Sequence, residues 1–169
     1  REHSTVNLGT IGGGGITKIG NNSLFMVGAH IAHDCMLGNN IVMANQATLG
    51  GHVVVENNAI IGGVSGVHQF CRIGSLSMIG GLSAVENDVV PFGLVTGNRA
   101  KLLGLNIVGL RRANYSNQKI RELKEIFNRI FNSNEIRNES NLNRNTNNEL
   151  AKKLIDFIIV DSSRGLCSY

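Results

Sequence analysis

The chain has 169 residues, of which 42% are hydrophobic and 5% aromatic, with 21 glycines, one proline and no tryptophan. Many glycines with few aromatic residues argue against a thick aromatic core and favour a fold with many tight corners. The net charge of +4 is mild and no run rich in lysine and arginine is present, so we expect no nucleic-acid partner. No apolar run is long enough to cross a bilayer, so we expect no stable membrane insertion. The three cysteines lack zinc-like spacing and predict reduced thiols in a cytoplasmic protein.

The first predicted element is a parallel β-helix over residues 1–112, because the sequence repeats every six residues from Ile19 onward. One inward apolar residue per six, with small residues near the bends, fits three short strands per coil of eighteen residues. A spacing of six does not keep to one face of an α-helix, which excludes a helical heptad pattern. The first position of twelve consecutive hexads is apolar: Ile19, Phe25, Ile31, Leu37, Met43, Leu49, Val55, Ile61, Val67, Ile73, Ile79 and Val85.

The hexad pattern breaks on both sides of this region. Gly12 to Gly15 interrupt the register and predict a loop over residues 11–17 that leaves the coil. Pro91 occupies the next apolar position and ends the pattern, so residues 91–112 are predicted to form an irregular connector.

Residues 113–169 are predicted to form a small α-helical domain that caps the β-helix. A first helix follows Ser116, a plausible N-cap, and its apolar residues keep helical spacing: Ile120, Leu123, Ile126, Phe127, Ile130 and Phe131. A second helix is indicated by Leu150, Leu154, Phe157 and Ile158, and the polar stretch 132–148 is predicted to be a loop with a short helix.

The predicted coil gathers four of the five histidines on one edge, because residues eighteen apart stack on neighbouring coils. Exposed histidines without chemistry, a metal site and an acid–base site are the three interpretations of this edge. We expect no metal, since the spacing of the histidines does not match a zinc site with three protein ligands. A histidine beside a carboxylate, with a backbone N–H on the next coil, fits acyl transfer to a hydroxyl. The edge holds His30, His33, Asp34, His52, His68 and Gln69, with Gly51 stacked on His33.

Six motifs stand out along the chain: HIAHDC (30–35), ATLGGHV (47–53), IIGGVSGVHQF (60–70), IGGLSAVENDVVPFGLVTGN (79–98), GLNIVGLRR (104–112) and SSRGL (162–166). In this order and spacing they resemble the motifs of the UDP-N-acetylglucosamine O-acyltransferases of lipid A synthesis. The resemblance extends through essentially the whole chain and implies a left-handed parallel β-helix, a C-terminal helical domain and a homotrimer with active sites between subunits. Family members have further coils before the position of Arg1, so we expect this chain to be an N-terminally truncated part of a longer protein.

The resemblance also implies a reaction and the residues that perform it. A 3-hydroxyacyl chain passes from the phosphopantetheine thioester of acyl carrier protein to the 3-hydroxyl of UDP-N-acetylglucosamine, and no cofactor takes part. His33 is then the general base, Asp34 orients it, and the Gly51 N–H stabilises the oxyanion. Gly81 is the acyl-chain ruler, and its missing side chain favours a long chain. The implied substrate-binding residues are His30, His52, His68, Gln69, Asn106 and Arg112.

The chain departs from the family pattern at three ligand-binding positions. Asn7 and Arg99 stand where family members often have histidine, and Val108 stands where they have an acidic residue. The acyl preference and the nucleotide contacts therefore do not follow from the resemblance. Two alternatives to the O-acyltransferase are the related N-acyltransferase, which acylates the amine of the 3-O-acylated sugar nucleotide, and a truncated, inactive trimeric solenoid. A metalloenzyme is the third alternative.

Overall fold

A computed structural model describes residues 1–132, 142 and 146–169 of the chain. The loop with a short helix predicted within residues 132–148 lies largely outside the described residues. The rest confirms the predicted fold class, a left-handed parallel β-helix followed by α-helices.

The strands form three sheets, which are the three faces of a triangular coil. Sheet A contains β1 (Thr5–Val6), β4 (His30–Ile31), β7 (Thr48–Leu49), β10 (Gly66–Val67) and β13 (Ala84–Val85). Sheet B contains β2 (Lys18–Ile19), β5 (Met36–Leu37), β8 (Val54–Val55) and β11 (Arg72–Ile73). Sheet C contains β3 (Leu24–Phe25), β6 (Val42–Met43), β9 (Ile60–Ile61), β12 (Met78–Ile79), β14 (Gly93–Thr96) and β15 (Lys101–Leu105).

The strands pair at the predicted interval of eighteen residues. In sheet A, His30 lies opposite Thr48 and Thr48 lies opposite Gly66. The first interval is longer, because Thr5 pairs with His30, 25 residues later. The additional residues belong to the segment 7–17, here called the inserted loop, which contains a 3₁₀ helix at Ile11–Gly13. This loop lies between β1 of sheet A and β2 of sheet B, and therefore emerges at the corner between those two sheets.

The core of the β-helix is the stack of hexad residues predicted from the sequence. Ten of the twelve are at most 4% exposed: Ile31, Leu37, Met43, Leu49, Val55, Ile61, Val67, Ile73, Ile79 and Val85. Ile19 and Phe25 are only partly buried, because they lie in the first coil at the end of the stack. Burial of one aliphatic side chain contributes roughly 1.5–3 kcal/mol, so the stack is the main stabilising feature of the coil.

The prediction of an irregular connector over residues 91–112 is wrong, since this segment holds β14, β15 and the helix α1 (Ile107–Arg112). The last coil is two residues shorter than the regular coil of eighteen: Val89 pairs with Ile73 and Leu94 pairs with Met78, both sixteen residues apart. Pro91 therefore lies at a corner, where its missing N–H is not needed for pairing. The chain then turns back, and β15 pairs with β14 in antiparallel orientation.

The helices α2 (Asn117–Asn132) and α3 (Glu149–Ile159) pack against each other. Ser116 caps α2 as predicted, since its Oγ accepts a hydrogen bond of 3.3 Å from the Lys119 N–H. Arg72 of sheet B joins the end of α3 to the solenoid, because its Nη2 donates to the Val160 carbonyl oxygen at 3.1 Å. None of the helices in the described part of the chain has the length and apolarity of a membrane span.

Candidate active site

The predicted site residues stack at the corner between sheets A and B. His33, Gly51 and Gln69 follow β4, β7 and β10 on successive coils. Backbone hydrogen bonds join these coils at the corner: the His52 N–H donates to the His33 carbonyl oxygen and the Phe70 N–H donates to that of Gly51, both at 3.0 Å. The column predicted from the eighteen-residue coil is therefore present.

His33 and Asp34 form a hydrogen-bonded pair, with His33 Nδ1 lying 2.8 Å from Asp34 Oδ2. Consecutive residues of a strand point to opposite sides, but Asp34 has a φ of +59° and turns the corner, so the two side chains meet. The His33 side chain is 42% exposed, whereas that of Asp34 is 1% exposed. One edge of the imidazole is thus held by a buried carboxylate, and part of the ring remains exposed to a ligand.

The inserted loop surrounds the Asp34 carboxylate with hydrogen-bond donors. The Thr10 hydroxyl donates to Oδ2 at 2.7 Å, and the Thr10 N–H donates to Oδ1 at 2.9 Å. The Thr17 hydroxyl in turn accepts a hydrogen bond of 2.8 Å from the Asp34 N–H. The hydroxyl of Thr10, assisted by His33 and by the nearby His52, lowers the pKa of Asp34 to about 2, although burial opposes this shift. Asp34 is therefore ionised at neutral pH.

Gly51 lies directly against the His33 ring. A β-carbon at Gly51 would lie 2.6 Å from His33 Cε1 and 2.8 Å from Nε2, so only glycine fits beneath the ring in this position. Among the described residues, the Gly51 N–H donates to no carbonyl or side chain. A backbone N–H without a protein partner, on a glycine that lies against an imidazole, suits an oxyanion-binding role.

His52 belongs to the same cluster. Its ring lies 5.2 Å from that of His33 in an edge-on arrangement, and its Nε2 lies 4.0 Å from Asp34 Oδ2. Phe70, one coil further on, stacks against His52 with ring centres 4.6 Å apart and an interplanar angle of 9°. The three stacked positions of this column, Asp34, His52 and Phe70, all have positive φ. Phe70 thus fixes the plane of the His52 ring.

An open groove of about 450 Å³ runs from this corner across sheet A. Its floor is formed by residues without bulky side chains, among them Thr48, Gly66 and Ala84, which are opposite one another in the sheet. The predicted residues His68 and Gln69 line the groove, and both are exposed. The groove is wide enough for a ligand that extends away from His33.

His30 and Gln69 make further contacts at this edge. His30 Nδ1 lies 2.8 Å from Thr5 Oγ1 on the preceding strand. The Gln69 carbonyl oxygen accepts a hydrogen bond of 2.8 Å from Arg164 Nε, which belongs to the segment after α3. The C-terminal segment therefore reaches the column that contains His33.

Three predicted residues lie away from this corner. Gly81 lies at the corner between sheets C and A, at the far side of sheet A from His33. Asn106 caps α1: its Oδ1 accepts from the Gly109 N–H and its Nδ2 donates to the Leu76 carbonyl oxygen, both at 2.9 Å. Arg112 is the exposed last residue of α1. One chain therefore does not bring the two α1 residues to His33.

Three contributors to the site were missed from the sequence: Thr10, Gly13 and Thr17. A β-carbon at Gly13 would collide with the Asp34 carboxyl group, so the inserted loop lies directly on the carboxylate. The position of the loop was a usable signal, because it interrupts the repeat between a sheet A and a sheet B position. Nothing in the sequence indicated which residues of the loop contact Asp34.

His33, Asp34 and His52 also have ligand atoms within 4.8 Å of one another, as a metal site requires. However, Asp34 Oδ2 already accepts hydrogen bonds from His33 Nδ1 at 2.8 Å and from the Thr10 hydroxyl at 2.7 Å. A metal ion would have to displace both donors from a carboxylate that is 1% exposed. The donor set fits an orienting carboxylate better than a metal ligand.

Two known families match parts of the chain. Residues 88–167 match the family described as UDP N-acetylglucosamine O-acyltransferase, domain 2. Residues 16–51 match the bacterial transferase hexapeptide family, which is defined by six repeats.

Similar proteins match nearly the whole chain. An acyl-[acyl-carrier-protein]–UDP-N-acetylglucosamine O-acyltransferase from Paracoccus denitrificans is 44% identical over 97% of this chain. The chain spans 63% of that relative, just under two thirds of its length. The structure of a UDP-N-acetylglucosamine acyltransferase from Campylobacter jejuni superposes with a TM-score of 0.89 and 38% identity, covering 99% of this chain and 69% of that one. The Arabidopsis UDP-N-acetylglucosamine acyltransferase superposes with a TM-score of 0.91 and 36% identity, covering 99% and 62% of the two chains.

Proposed function

The chain belongs to the family of UDP-N-acetylglucosamine O-acyltransferases, and from this premise we propose that it acylates the 3-hydroxyl of UDP-N-acetylglucosamine. The acyl donor is a 3-hydroxyacyl chain on acyl carrier protein, and the reaction is the first step of lipid A biosynthesis. The single observation that carries this proposal is the His33–Asp34 pair, which lies against Gly51 at the end of an open groove. Within the described part of the chain the Gly51 N–H has no hydrogen-bond acceptor.

In the proposed mechanism His33 is the general base. Its Nε2 takes the proton from the sugar 3-hydroxyl while its Nδ1–H remains bonded to Asp34, which stabilises the imidazolium that forms. The sugar oxygen attacks the thioester carbonyl carbon, and the Gly51 N–H binds the resulting oxyanion. Collapse of the tetrahedral intermediate breaks the carbon–sulfur bond, and the leaving thiolate takes the proton from His33. The products are the 3-O-acylated sugar nucleotide and the free thiol of acyl carrier protein.

The groove across sheet A is the proposed path of the acyl chain. It begins at the corner of His33, and its lining does not include Gly81, which lies at the opposite corner of the same sheet. The proposed path continues beyond the groove to that corner. One face of the coil is six residues wide, so an extended chain crosses roughly 20 Å between the two corners. This length suits a long acyl chain, and a side chain at Gly81 would close the far end. Gly81 is therefore the proposed acyl-chain ruler.

We propose that the active form is a homotrimer that binds the sugar nucleotide between subunits. Asn106 and Arg112 lie on α1, beside sheet C, and His33 lies at the corner of sheets A and B. A ligand that touches both sets needs residues from two chains. The outward residues of sheet C form an apolar column suited to burial between subunits: Leu24, Val42, Ile60, Met78 and Leu94.

The proposed reaction takes place in the cytoplasm and needs no metal or redox cofactor. The proton and the acyl group move only between His33, the sugar and the thiol, so the chemistry balances without a further group. The three cysteines are free and buried, which suits a reducing compartment.

A direct assay tests the proposed function. The chain is incubated with 3-hydroxyacyl-[acyl carrier protein] and UDP-N-acetylglucosamine, in parallel with His33→Ala and His30→Ala variants. Formation of the 3-O-acylated nucleotide by the unmodified chain, with loss of about 10²-fold or more in His33→Ala, supports the general-base role. We expect His30→Ala to lose less activity than His33→Ala, because His30 is proposed to bind the substrate and His33 to transfer the proton.

Two outcomes contradict the proposed reaction, and a third contradicts the proposed trimer. If the chain acylates the 3-O-acyl glucosamine nucleotide but not UDP-N-acetylglucosamine, it is an N-acyltransferase. No acylated product from any chain would favour the inactive solenoid. Sedimentation of the same preparation as a monomer would contradict the proposed trimer.

A further inference from the structure

We propose that the inserted loop is a clamp for the catalytic pair, and that Thr10 is its positioning residue. Thr10 holds the Asp34 carboxylate in the orientation that supports His33, while Gly13 and Thr17 fix the loop over it. The clamp consists of the contacts around Asp34, and its role in catalysis rests on the proposed function.

The contacts of Asp34 come from two different parts of the chain. Thr10 supplies a hydroxyl at 2.7 Å from Oδ2 and an N–H at 2.9 Å from Oδ1, with the same N–H 3.2 Å from Oδ2. His33 Nδ1 supplies the remaining hydrogen bond to Oδ2 at 2.8 Å. The carboxylate is therefore fixed from one side by the inserted loop and from the other by the imidazole.

The clamp is needed because the Asp34 side chain is nearly inaccessible to water, with 1% of its surface exposed. A buried carboxylate without donors loses much of its solvation and either rotates or takes up a proton. A neutral carboxyl group would no longer stabilise the imidazolium of His33. Thr10 supplies the hydrogen bonds that water would otherwise donate to the carboxylate, and it does so from a fixed position.

The loop itself is fixed by two further contacts. The Thr17 hydroxyl accepts from the Asp34 N–H at 2.8 Å, which ties the end of the loop to the same residue. A β-carbon at Gly13 would collide with the Asp34 carboxyl group and lie 2.6 Å from His52 Cε1. The loop thus closes over Asp34 without space for a side chain at Gly13.

The titratable groups that face Asp34 come from its own coil and the next one. They are His33, at 2.8 Å, His52, at 4.0 Å, and the thiol of the adjacent Cys35, which burial keeps protonated by raising its pKa. Thr10 and Thr17 are the neutral hydroxyls on the loop side. Loss of the Thr10 donor should therefore mainly affect the titration of Asp34 and the hydrogen bond between Asp34 and His33.

The test compares Thr10→Val, which removes the hydroxyl at nearly constant shape, with Thr10→Ser, which keeps it. The chain has four aspartates, so a ¹³C-carboxyl label resolves the titration of Asp34, assigned with Asp34→Asn. In Thr10→Val we expect the Asp34 titration to move to higher pH, and in Thr10→Ser to stay near that of the unmodified chain. This readout needs no substrate and so tests the clamp even if the proposed function fails.

The catalytic role is tested by the pH profile of kcat/KM. We expect Thr10→Val to lower kcat by about tenfold to a hundredfold and to move the acid limb to lower pH, in the same direction as Asp34→Asn. Thr10→Ser should restore both. Ser23→Ala, which removes a hydroxyl bonded to the Ile41 N–H at the corner between sheets B and C, is the matched control and should change neither.

Two results overturn the proposal. An Asp34 titration that is the same in Thr10→Val as in the unmodified chain shows that Thr10 does not hold the carboxylate. A shifted titration with an unchanged pH profile and kcat shows that the contact is structural only. Absence of activity in the unmodified chain, with a shifted Asp34 titration in Thr10→Val, contradicts the proposed function but leaves the clamp in place.

Discussion

The imidazole of His33 rests on the backbone of Gly51 one coil away, so closely that a β-carbon there would lie 2.6 Å from Cε1. The same ring is held at Nδ1 by Asp34 at 2.8 Å. The position of the proposed base therefore depends on a missing side chain on one coil and a carboxylate on another. This relationship makes the site sensitive to the smallest substitution.

Gly51→Ala should reduce activity much more than it reduces stability. The added methyl group pushes the partly exposed His33 ring aside and breaks its bond to Asp34, whereas the core residues are untouched. We expect kcat to fall by about 10²-fold and the free energy of unfolding to change by less than about 1 kcal/mol. Gly12→Ala, where a β-carbon meets nothing within 4 Å, is the control. Equal losses of stability and activity would contradict this prediction.

Asp34 should contribute to stability above pH 4 and lose that contribution in acid. Its pKa is lowered from 3.8 to about 2 in the folded chain, so the unfolded chain takes up the proton first as the pH falls. Asparagine does not titrate in this range. The stability difference between the unmodified chain and Asp34→Asn should therefore shrink as the pH is lowered from about 5 to about 3, measured by urea unfolding. A constant difference would be incompatible with the lowered pKa.

Arg72→Met should destabilise the junction between the solenoid and α3. Arg72 Nε donates to Asp88 Oδ2 at 2.7 Å, and the Asp88 side chain is fully buried. Removing the cation leaves a buried carboxylate unpaired, which costs about 3–5 kcal/mol of unfolding free energy. Lys119→Ala, which removes an exposed pair with Glu149, should cost less than about 1 kcal/mol. Similar losses in the two variants would show that the Asp88 pair is not a main stabilising contact.

Gly81→Met should shorten the preferred acyl chain. A β-carbon at Gly81 would lie 3.3 Å from the Gly63 carbonyl oxygen. A longer side chain would extend into the end of the proposed acyl path. We expect the ratio of kcat/KM for long over short acyl donors to fall by about tenfold or more. Gly81→Ala should give a smaller shift in the same direction. An unchanged ratio in both variants would exclude Gly81 as the ruler.

Removal of metal ions should leave the activity unchanged. Asp34 Oδ2 is occupied by two hydrogen-bond donors, so His33, Asp34 and His52 should not retain zinc. Metal analysis of the purified chain, followed by assay after chelation, checks this expectation. Stoichiometric zinc that is lost in His52→Ala would instead identify a metal centre.

The sequence predicts the coil and the main column of the site, because both follow from one period. Every buried hexad residue from Ile31 to Val85 obeys the six-residue interval, and His33 stacks with Gly51 for the same reason. The last coil could not be predicted this way. Val89 and Val90 are both apolar and both buried, so the sequence pattern does not show that the coil shortens by two residues and moves Pro91 to a corner.

The contacts of Asp34 also could not be predicted from the six-residue repeat. The inserted loop has no period, and which of its hydroxyls meets the carboxylate depends on how the loop folds back. Asn106 shows the converse case. The resemblance implies a ligand contact, whereas in the structure both polar ends of its side chain are used to attach α1.

The inserted loop adds seven residues to one coil and leaves the pairing of His30 with Thr48 unchanged. Each turn of such a solenoid touches only the turns on either side of it. New reactive groups can therefore be added at a vertex without rebuilding the aliphatic pillar inside. Inheritance of the scaffold and diversification of its chemistry become separate problems for evolution, and also for anyone redesigning the protein.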